Sequence, residues 1–171
     1  MRIRTLETVE GVRTLEPLVA EYIRFVCGDL MTRHGISFDA EALISGTMGG
    51  LDKVIPPLGR TFVAEGDAGN VLGMVFLRAS GADAMEIKRL YVLPEARGTG
   101  AGRALVEAAM AEAVASGAVA LRLDTTRNLA AAIGLYRSMG FAFRPPYPES
   151  DHFGDAVLKD VLVFMEKRLD A

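Results

Sequence analysis

A glycine-rich loop stands between an apolar run and an alanine-rich helical pattern, and its residue types suit an anionic ligand. The loop reads Arg97-Gly98-Thr99-Gly100-Ala101-Gly102. Its glycines allow a tight turn and a close approach of the backbone to a ligand. The helix predicted after the loop directs free N–H groups and roughly half a positive charge toward that ligand. Arg97 adds a planar cation that matches phosphate oxygens, so the loop favours a pyrophosphate.

The apolar run before the loop predicts a strand. Residues 85–93 are rich in β-forming types, and Pro94 ends the run because it cannot donate to a sheet ladder. The apolar alternation changes phase between Ile87 and Leu90, and one inserted residue around Lys88-Arg89 restores it. The sequence therefore predicts a β-bulge, beside which an extended ligand can pair with the freed backbone. The residues that would pair with it are Leu90, Tyr91 and Val92.

The known families of glycine-rich loop differ in the residues at and after the glycines. A P-loop needs Lys-Ser/Thr, and this chain has Arg103-Ala104. The dinucleotide fingerprint matches at its first two glycines, but Arg103 stands at the third, although Asp124 lies about where a ribose-binding acid belongs. A nicotinamide-dependent oxidoreductase therefore stays an alternative. The string R-x-x-G-x-G from Arg97 to Gly102 resembles the acetyl-CoA-binding motif of the GNAT acyltransferase family.

A second motif strengthens the resemblance. Asn128 to Phe141 reads N-L-A-A-A-I-G-L-Y-R-S-M-G-F, which is similar to the second helix of GNAT domains, with Asn128 at its start and Tyr136 near its end. The resemblance covers roughly residues 62–169. Leu-Asp-Thr at 123–125 and Pro-Pro-Tyr at 145–147 also occur in some relatives, which are small-molecule or amino-group acetyltransferases of bacterial type.

The resemblance implies a fold, a co-substrate and a set of ligand-binding residues. The expected fold is an α/β GNAT-like mixed sheet of six to seven strands, with helices on both faces and a bulge and splay at the central strand. Acetyl-CoA is the expected co-substrate, and no metal is expected. The implied cofactor-binding residues are Leu90, Tyr91, Val92, Arg97, Gly98, Thr99, Gly100, Ala101, Gly102, Arg103, Asn128 and Tyr136. Arg127 and Arg137 are further candidates for the nucleotide phosphate.

Acetyl transfer from a thioester needs an oxyanion donor and an acid for the departing thiolate. The Val92 N–H, freed near the bulge, is the candidate donor. Tyr136 is the candidate acid, because a tyrosine hydroxyl has a pKa near 10 and a thiol about 8.5. Helical spacing alone equally explains Tyr136 as part of the apolar stripe of its helix. The resemblance favours the catalytic interpretation.

The transfer also needs a base, because an alkylammonium is mostly protonated at neutral pH. Glu86 on the central strand is the first candidate, since in many relatives an acid here faces the acceptor pocket. It can equally be an exposed residue paired with Lys88 or Arg122. The reserve candidates are Asp124, Asp151 and His152, and Tyr147 is a candidate for lining the pocket.

The predicted function is therefore the transfer of an acetyl group from acetyl-CoA to a primary amine of a small molecule by direct attack. One alternative is a protein acetyltransferase that acts on N-termini or lysines. Another is a non-catalytic acyl-CoA sensor, which keeps the loop but lacks a working acid and base. The resemblance also implies a homodimer through the last strands.

Composition bounds these interpretations. The 171 residues, 50% of them hydrophobic, predict one domain over 1–171. We expect its parts to be an acceptor side over 1–59, a cofactor-binding part over 60–127, and the second helix with the last strands over 128–171. A net charge of -3 with interspersed signs argues against nucleic acid or a membrane surface as partner. The chain shows no signal segment, so we expect a cytoplasmic protein with Cys27 as a buried thiol.

The remaining elements follow from periodicity and turn residues. We expect an edge strand over 2–8, one helix over 12–34 that Gly35 ends, and a second helical pattern from Asp39 to the prolines at 56–57. The other predicted elements are strands over 60–65, 70–78, 119–124, 141–144 and 161–167, and helices over 102–116 and 128–141. A parallel strand-helix-strand crossover surrounds the cofactor loop.

Overall fold

The computed structural model describes residues 1–169, whose backbone forms seven strands and five α-helices. The strands are β1 (Arg2–Leu6), β2 (Gly59–Glu65), β3 (Val71–Ala79), β4 (Ala84–Val92), β5 (Ala120–Thr126), β6 (Ala142–Arg144) and β7 (Leu162–Arg168). The helices are α1 (Val9–Arg13), α2 (Glu16–His34), α3 (Ala40–Gly49), α4 (Ala101–Ala115) and α5 (Ala130–Ser138). Short 3-10 helices cover Leu51–Val54 and Pro94–Ala96.

All seven strands belong to one mixed sheet in the order β1-β2-β3-β4-β5-β7-β6. Strands β1 to β4 are antiparallel neighbours, and β4 pairs with β5 in parallel across the α4 crossover. Strand β7 is antiparallel to both β5 and β6. The predicted mixed sheet of six to seven strands is confirmed.

Helices α4 and α5 cover one face of the sheet. The buried face of α4 presents Leu105, Val106 and Ala109, none of which is exposed to solvent. These side chains pack with Ile87 of β4 and Leu123 of β5 in one cluster. Burial of each large apolar side chain stabilises the fold by about 1.5–3 kcal/mol. This packing fixes α4 beneath the centre of the sheet.

The N-terminal helices cover the opposite face. Val12, Val19 and Met48 from α1, α2 and α3 pack on Met74 and Tyr91 of the sheet. A third cluster joins the C-terminal half of α2 to the segment 145–161, which we call the late loop. Helices therefore lie on both faces, as predicted.

The predicted helix over 12–34 is in fact two helices. Helix α1 ends at Arg13 and α2 starts at Glu16, with Pro17 in its first turn. Proline fits the first turn of a helix because it lacks the N–H that an interior position would need. Gly35 ends α2 in the left-handed conformation, with φ of 66°, as predicted.

Two other boundaries differ from the expectation. Strand β1 stops at Leu6, because Thr8 accepts a hydrogen bond from the Gly11 N–H and begins α1. The helical pattern from Asp39 divides into α3 and a 3-10 turn at Gly50. Over residues 1–169, no helix combines the length and the hydropathy needed to cross a bilayer.

Candidate active site

The two central strands separate halfway along their length. Strand β4 pairs with β5 only from Ala84 opposite Ala120 to Ile87 opposite Leu123. Beyond these four pairs, β4 continues to Val92 and β5 continues on its own course to Thr126. The separation opens a cleft in the middle of the sheet, which confirms the predicted splay.

A bulge in β4 lies directly beside this cleft. Met74 of β3 faces Tyr91 and Phe76 faces Lys88, so one residue of β3 lies opposite both Arg89 and Leu90. Arg89 takes the left-handed conformation, with φ of 54°. The predicted bulge is confirmed, and the extra residue is Arg89. A φ in this region is uncommon for residues other than glycine. The backbone of Arg89 therefore points to a constraint that the site imposes.

The bulged strand presents backbone groups to the cleft. The Leu93 N–H donates to the Leu72 carbonyl at 2.9 Å, which makes Gly73 and Val92 the next, non-hydrogen-bonded pair. The N–H of Val92 therefore points away from β3, toward the space that β5 has left. By the same alternation Leu90 faces the cleft, whereas the main chain of Tyr91 pairs with β3.

The glycine loop delivers the start of α4 to the end of the cleft. Gly98 and Gly100 have φ of 81° and 91°, so both positions need glycine. Gly100 precedes the first helical residue, and a Cβ at Gly102 would lie 3.4 Å from Leu135 of α5. Within residues 1–169, no backbone acceptor pairs with the N–H groups of 100–103. These N–H groups could therefore bind an anion.

The loop side chains are held in different ways. The Nε of Arg97 donates to the Val92 carbonyl at 3.2 Å, and its guanidinium lies 5.7 Å from the centre of the Tyr91 ring. The Thr99 hydroxyl donates to the Ala96 carbonyl at 2.7 Å. Arg103 bonds Ser138 of α5 at 2.7 Å. Arg97 is therefore held against the end of β4, and Arg103 ties α4 to α5.

Asn128 does not cap its helix. Leu129 is the residue before α5, without a side-chain capping bond. The Asn128 amide instead lies 2.6 Å from His34 Nε2, at the end of α2. The turn before α5 therefore directs the Asn128 side chain toward α2.

Tyr136 is on the inner side of α5 and lines the cleft. It is buried, and its ring packs 5.6 Å from that of Phe141. Burial raises the pKa of Tyr136 above the usual range of tyrosine, and the neighbouring Tyr22 and Asp124 act in the same direction. The hydroxyl therefore stays protonated across the physiological range and is available as a hydrogen-bond donor.

The cleft opens sideways into a larger cavity of about 130 Å³ between α2, α3 and the late loop. Five residues line both spaces: Tyr22, Arg89, Asp124, Thr125 and Leu129. The rest of the lining of this side cavity is mainly apolar, with Val26, Leu30, Phe38, Leu43, Leu158 and Leu162. A second substrate in the side cavity would meet the cleft at Asp124 and Arg89.

Asp124 forms a buried ion pair at this junction. Its Oδ2 lies 2.9 Å from Lys88 Nζ and accepts from the Ser150 hydroxyl at 3.1 Å. Burial by itself would raise the pKa of Asp124, but the attraction of Lys88 and His152 outweighs it and holds the pKa below its usual range. The carboxylate is therefore ionised at neutral pH.

Glu86 lies in another place than expected. It is fully buried, and its Oε1 accepts from the Tyr147 hydroxyl at 2.6 Å while Oε2 pairs with Arg78 at 2.7 Å. It lines neither the cleft nor the side cavity. The prediction that Glu86 faces the acceptor pocket is therefore wrong, because Tyr147 of the late loop covers it.

Tyr147 is also buried, and it lines neither cavity. The guanidinium groups of Arg122 and Arg144 lie 5.3 and 5.0 Å from the centre of its ring. Under it, a row of alternating charges crosses four strands through Arg78, Glu86, Arg122 and Glu166. Tyr147 and this row fix the late loop over the sheet.

The residues that sequence reasoning missed are Arg89 as a cavity residue and Lys88 as the partner of Asp124. A signal existed, because Glu86 and Lys88 alternate with apolar residues on β4 as Arg122 and Asp124 do on β5. Two neighbouring strands with this pattern predict a charged face. In the part of the chain that the structure describes, no group of three or more metal-binding side chains is placed to hold a metal ion.

Comparison with known proteins follows the same motifs. The model of the acetyltransferase (GNAT) domain family matches residues 57–142. An IAA acetyltransferase of Azospirillum brasilense is 44% identical over 84 residues, which are 49% of this chain and 51% of the relative. The chain spans about half the length of the curated relatives it matches.

Solved structures share the architecture. Nourseothricin acetyltransferase is 35% identical, with a TM-score of 0.58 over 67% of each chain. A Salmonella typhimurium protein solved with its cofactor acetyl-CoA has a TM-score of 0.67 over 100% of this chain and 95% of that one; at 20% identity it supports the fold alone. With the family match over half of the sequence, the bulged central strand, the splayed cleft and the loop before α4 identify the chain as a member of the GNAT acetyltransferase family.

Proposed function

We propose that the protein transfers an acetyl group from acetyl-CoA to a primary amine of a small molecule. The observation that carries this proposal is the junction of the cleft with the side cavity. The cleft has a candidate anion site at one end and Tyr136 within it, and it opens into a mainly apolar side cavity. A thioester in the cleft and an amine in the side cavity would meet there.

In this proposal the coenzyme enters along the open edge of β4. The N–H groups at the start of α4, with Arg97, hold the pyrophosphate. The pantetheine arm extends β4 at Leu90 and Val92, in place of the neighbour that β5 no longer provides. Asn128, Arg127 and Arg137 stay proposals for the arm and the nucleotide phosphate. The Salmonella structure, which shares this fold, was solved with acetyl-CoA, and this supports acetyl-CoA as the co-substrate.

The reaction is a direct displacement. The neutral amine attacks the thioester carbonyl, a C–N bond forms, and the negative charge that develops on oxygen is stabilised by the Val92 N–H. The C–S bond then breaks and the thiolate leaves. Tyr136 supplies the hydrogen bond, and finally the proton, that the sulfur needs. The proton that the attacking nitrogen loses as the amide forms passes to solvent, and Tyr136 regains a proton from solvent. Because burial raises the pKa of Tyr136, its main contribution is donation to the charged sulfur.

Asp124 takes the place of Glu86 as the proposed proton acceptor. It is ionised and borders both spaces, whereas Glu86 is sealed under Tyr147. Because its pKa is held low, Asp124 is a weak base. Its negative charge attracts the ammonium to the junction, and the proton of the ammonium passes by way of the carboxylate to solvent. Asp151 and His152 lie nearby as supporting groups.

A small acceptor is favoured over a protein. The side cavity is bounded by α2, α3 and the late loop, and its volume of about 130 Å³ suits a compact molecule better than an extended peptide. The IAA and nourseothricin acetyltransferases support this choice by their names. Acetylation of protein N-termini or lysines is the second candidate. Cytoplasmic location and a homodimer through the last strands stay predictions.

Isothermal titration with acetyl-CoA tests the proposal, with NADH as the alternative ligand and Gly100→Trp as the blocked-loop variant. We expect acetyl-CoA alone to bind, and the variant to lose binding. Thiol release would then be followed over a panel of small primary amines and peptides. Acetyl-CoA binding with no accepted amine would favour the sensor alternative, and NADH binding would favour the oxidoreductase.

A further inference from the structure

Arg89 has features that the transfer of an acetyl group does not require. It is the inserted residue of the β4 bulge and keeps a left-handed backbone although it is not glycine. Such strain costs on the order of 1 kcal/mol, which glycine would relieve. Its side chain lines both the cleft and the side cavity. The position therefore uses a side chain, and that side chain faces the place where an acceptor would lie.

The charge of Arg89 is uncompensated. One terminal nitrogen donates to the neutral Thr47 hydroxyl at 3.0 Å. The Nε atom is buried and has no hydrogen-bond partner, and over residues 1–169 no carboxylate forms a salt bridge with the guanidinium. Asp124 is already bonded to Lys88 and Ser150. A buried unpaired donor on a cation costs free energy, so the arrangement fits an anionic partner.

The rest of the side cavity is mainly apolar. Val26, Leu30, Phe38 and Leu158 surround it, and His152 lies at one side. Its volume of about 130 Å³ is slightly below that of an engineered cavity of about 150 Å³ that holds benzene. The cavity therefore accepts one apolar group of about that size, next to a polar junction.

We propose that the acceptor is an apolar α-amino acid, whose carboxylate binds Arg89. This inference rests on the proposed function and names its substrate class. An α-amino acid carries its amine and carboxylate on one carbon, which matches a junction lined by both Asp124 and Arg89. Its side chain fills the apolar cavity and its amine points to the cleft. Thr47 is a positioning residue that orients the guanidinium.

The test compares L-leucine with L-leucinamide, which keeps the amine and the side chain but lacks the carboxylate, and with 1,5-diaminopentane. With wild-type protein and acetyl-CoA, we expect kcat/KM from thiol release to be about tenfold to a hundredfold higher for leucine than for the amide. Arg89→Met should lower the leucine value by a similar factor, mainly through KM, and leave the amide value within about threefold. Methionine at this position has the same backbone cost as arginine, since both carry a Cβ.

Two further variants are compared with Arg89→Met. Arg24→Met removes an arginine of α2 that pairs with Glu41 on the surface, and should change neither substrate. Thr47→Val should raise the KM for leucine less than Arg89→Met does. The proposal is overturned if the amide or the diamine is preferred, or if Arg89→Met lowers all substrates equally.

A titration of leucine without coenzyme separates this inference from the proposed function. Leucine binding that Arg89→Met abolishes would support the carboxylate site even if acetyl-CoA failed to bind. Acetyl-CoA binding with no leucine binding, and with turnover of the diamine, would keep the acetyltransferase and remove the amino-acid assignment.

Discussion

The Nζ atom of Lys88 lies 2.9 Å from Oδ2 of Asp124, across the gap where β4 and β5 have stopped pairing. At this point the ion pair between the two side chains connects the strands in place of backbone hydrogen bonds. Both are nearly buried, with 8% and 10% of their side-chain surface exposed. The pair fixes an ionised carboxylate at the junction of the cleft and the side cavity, and it ties the two strands together.

Asp124→Asn separates the two candidate bases. If Asp124 receives the ammonium, the variant should lower kcat/KM by about a hundredfold, within the usual range for a general base. Glu86→Gln should lower stability and leave kcat/KM within about tenfold, because Glu86 lines neither cavity. Thiol release and acetyl-CoA affinity would be measured for both. A larger kinetic loss in Glu86→Gln would restore Glu86 as the base.

The Lys88–Asp124 pair should also appear in acid stability. Because its folded-state pKa is lowered, Asp124 stabilises the fold above its ordinary pKa of 3.8, and this contribution is lost as the pH falls through the lower folded value. At pH 7, Asp124→Asn should lower the free energy of unfolding by about 3 kcal/mol. Urea titrations of both proteins should show this difference constant to about pH 4 and shrinking below it. A difference that grows in acid contradicts the pairing.

Removal of one hydroxyl tests the acid. Tyr136→Phe should lower kcat by about a hundredfold with an unchanged Kd for acetyl-CoA, because only the departing thiolate needs the donor. The comparison is Tyr22→Phe, which removes the other tyrosine hydroxyl that borders the cleft. If Tyr22→Phe causes the larger loss of kcat, the acid is Tyr22. Steady-state rates and titration calorimetry distinguish these outcomes.

Substitution of glycine by alanine should have opposite effects on stability at Gly100, in the turn before α4, and at Gly134, within α5. Gly100 has φ of 91°, so Gly100→Ala should destabilise the protein by more than about 1 kcal/mol and weaken acetyl-CoA binding. Gly134 lies exposed within α5, with nothing within 4 Å of an added Cβ. Gly134→Ala should therefore stabilise the protein by about 0.5–1 kcal/mol. Thermal unfolding of both variants would measure this contrast, and equal shifts would argue against a conformational role for Gly100.

The sequence predicted the features that depend on short-range chemistry. The phase change between Ile87 and Leu90 located the bulge to within one residue, and the glycines before α4 predicted the loop. Local patterns determine these features because backbone freedom and strand alternation are properties of neighbouring residues. The mixed sheet followed from the order of the elements together with the resemblance.

The sequence did not predict how the late loop lies on the sheet. Tyr147 is 61 residues from Glu86 along the chain, and their hydrogen bond depends on the whole path of the loop. Without that contact, a carboxylate on β4 could not be recognised as sealed. Arg89 was missed for a related reason, since its exposure to the side cavity depends on α2, α3 and the late loop together.

The short parallel pairing between β4 and β5 has a mechanical consequence. Four residue pairs form the seam between two plates, one made of β1 to β4 and the other of β5 to β7. The angle between the plates sets the width of the gap, and it depends on packing at Ile87 and Leu123, on the inner side of the seam. The acyl length that the gap would admit can therefore be tuned from Leu123, which lines neither the cleft nor the side cavity.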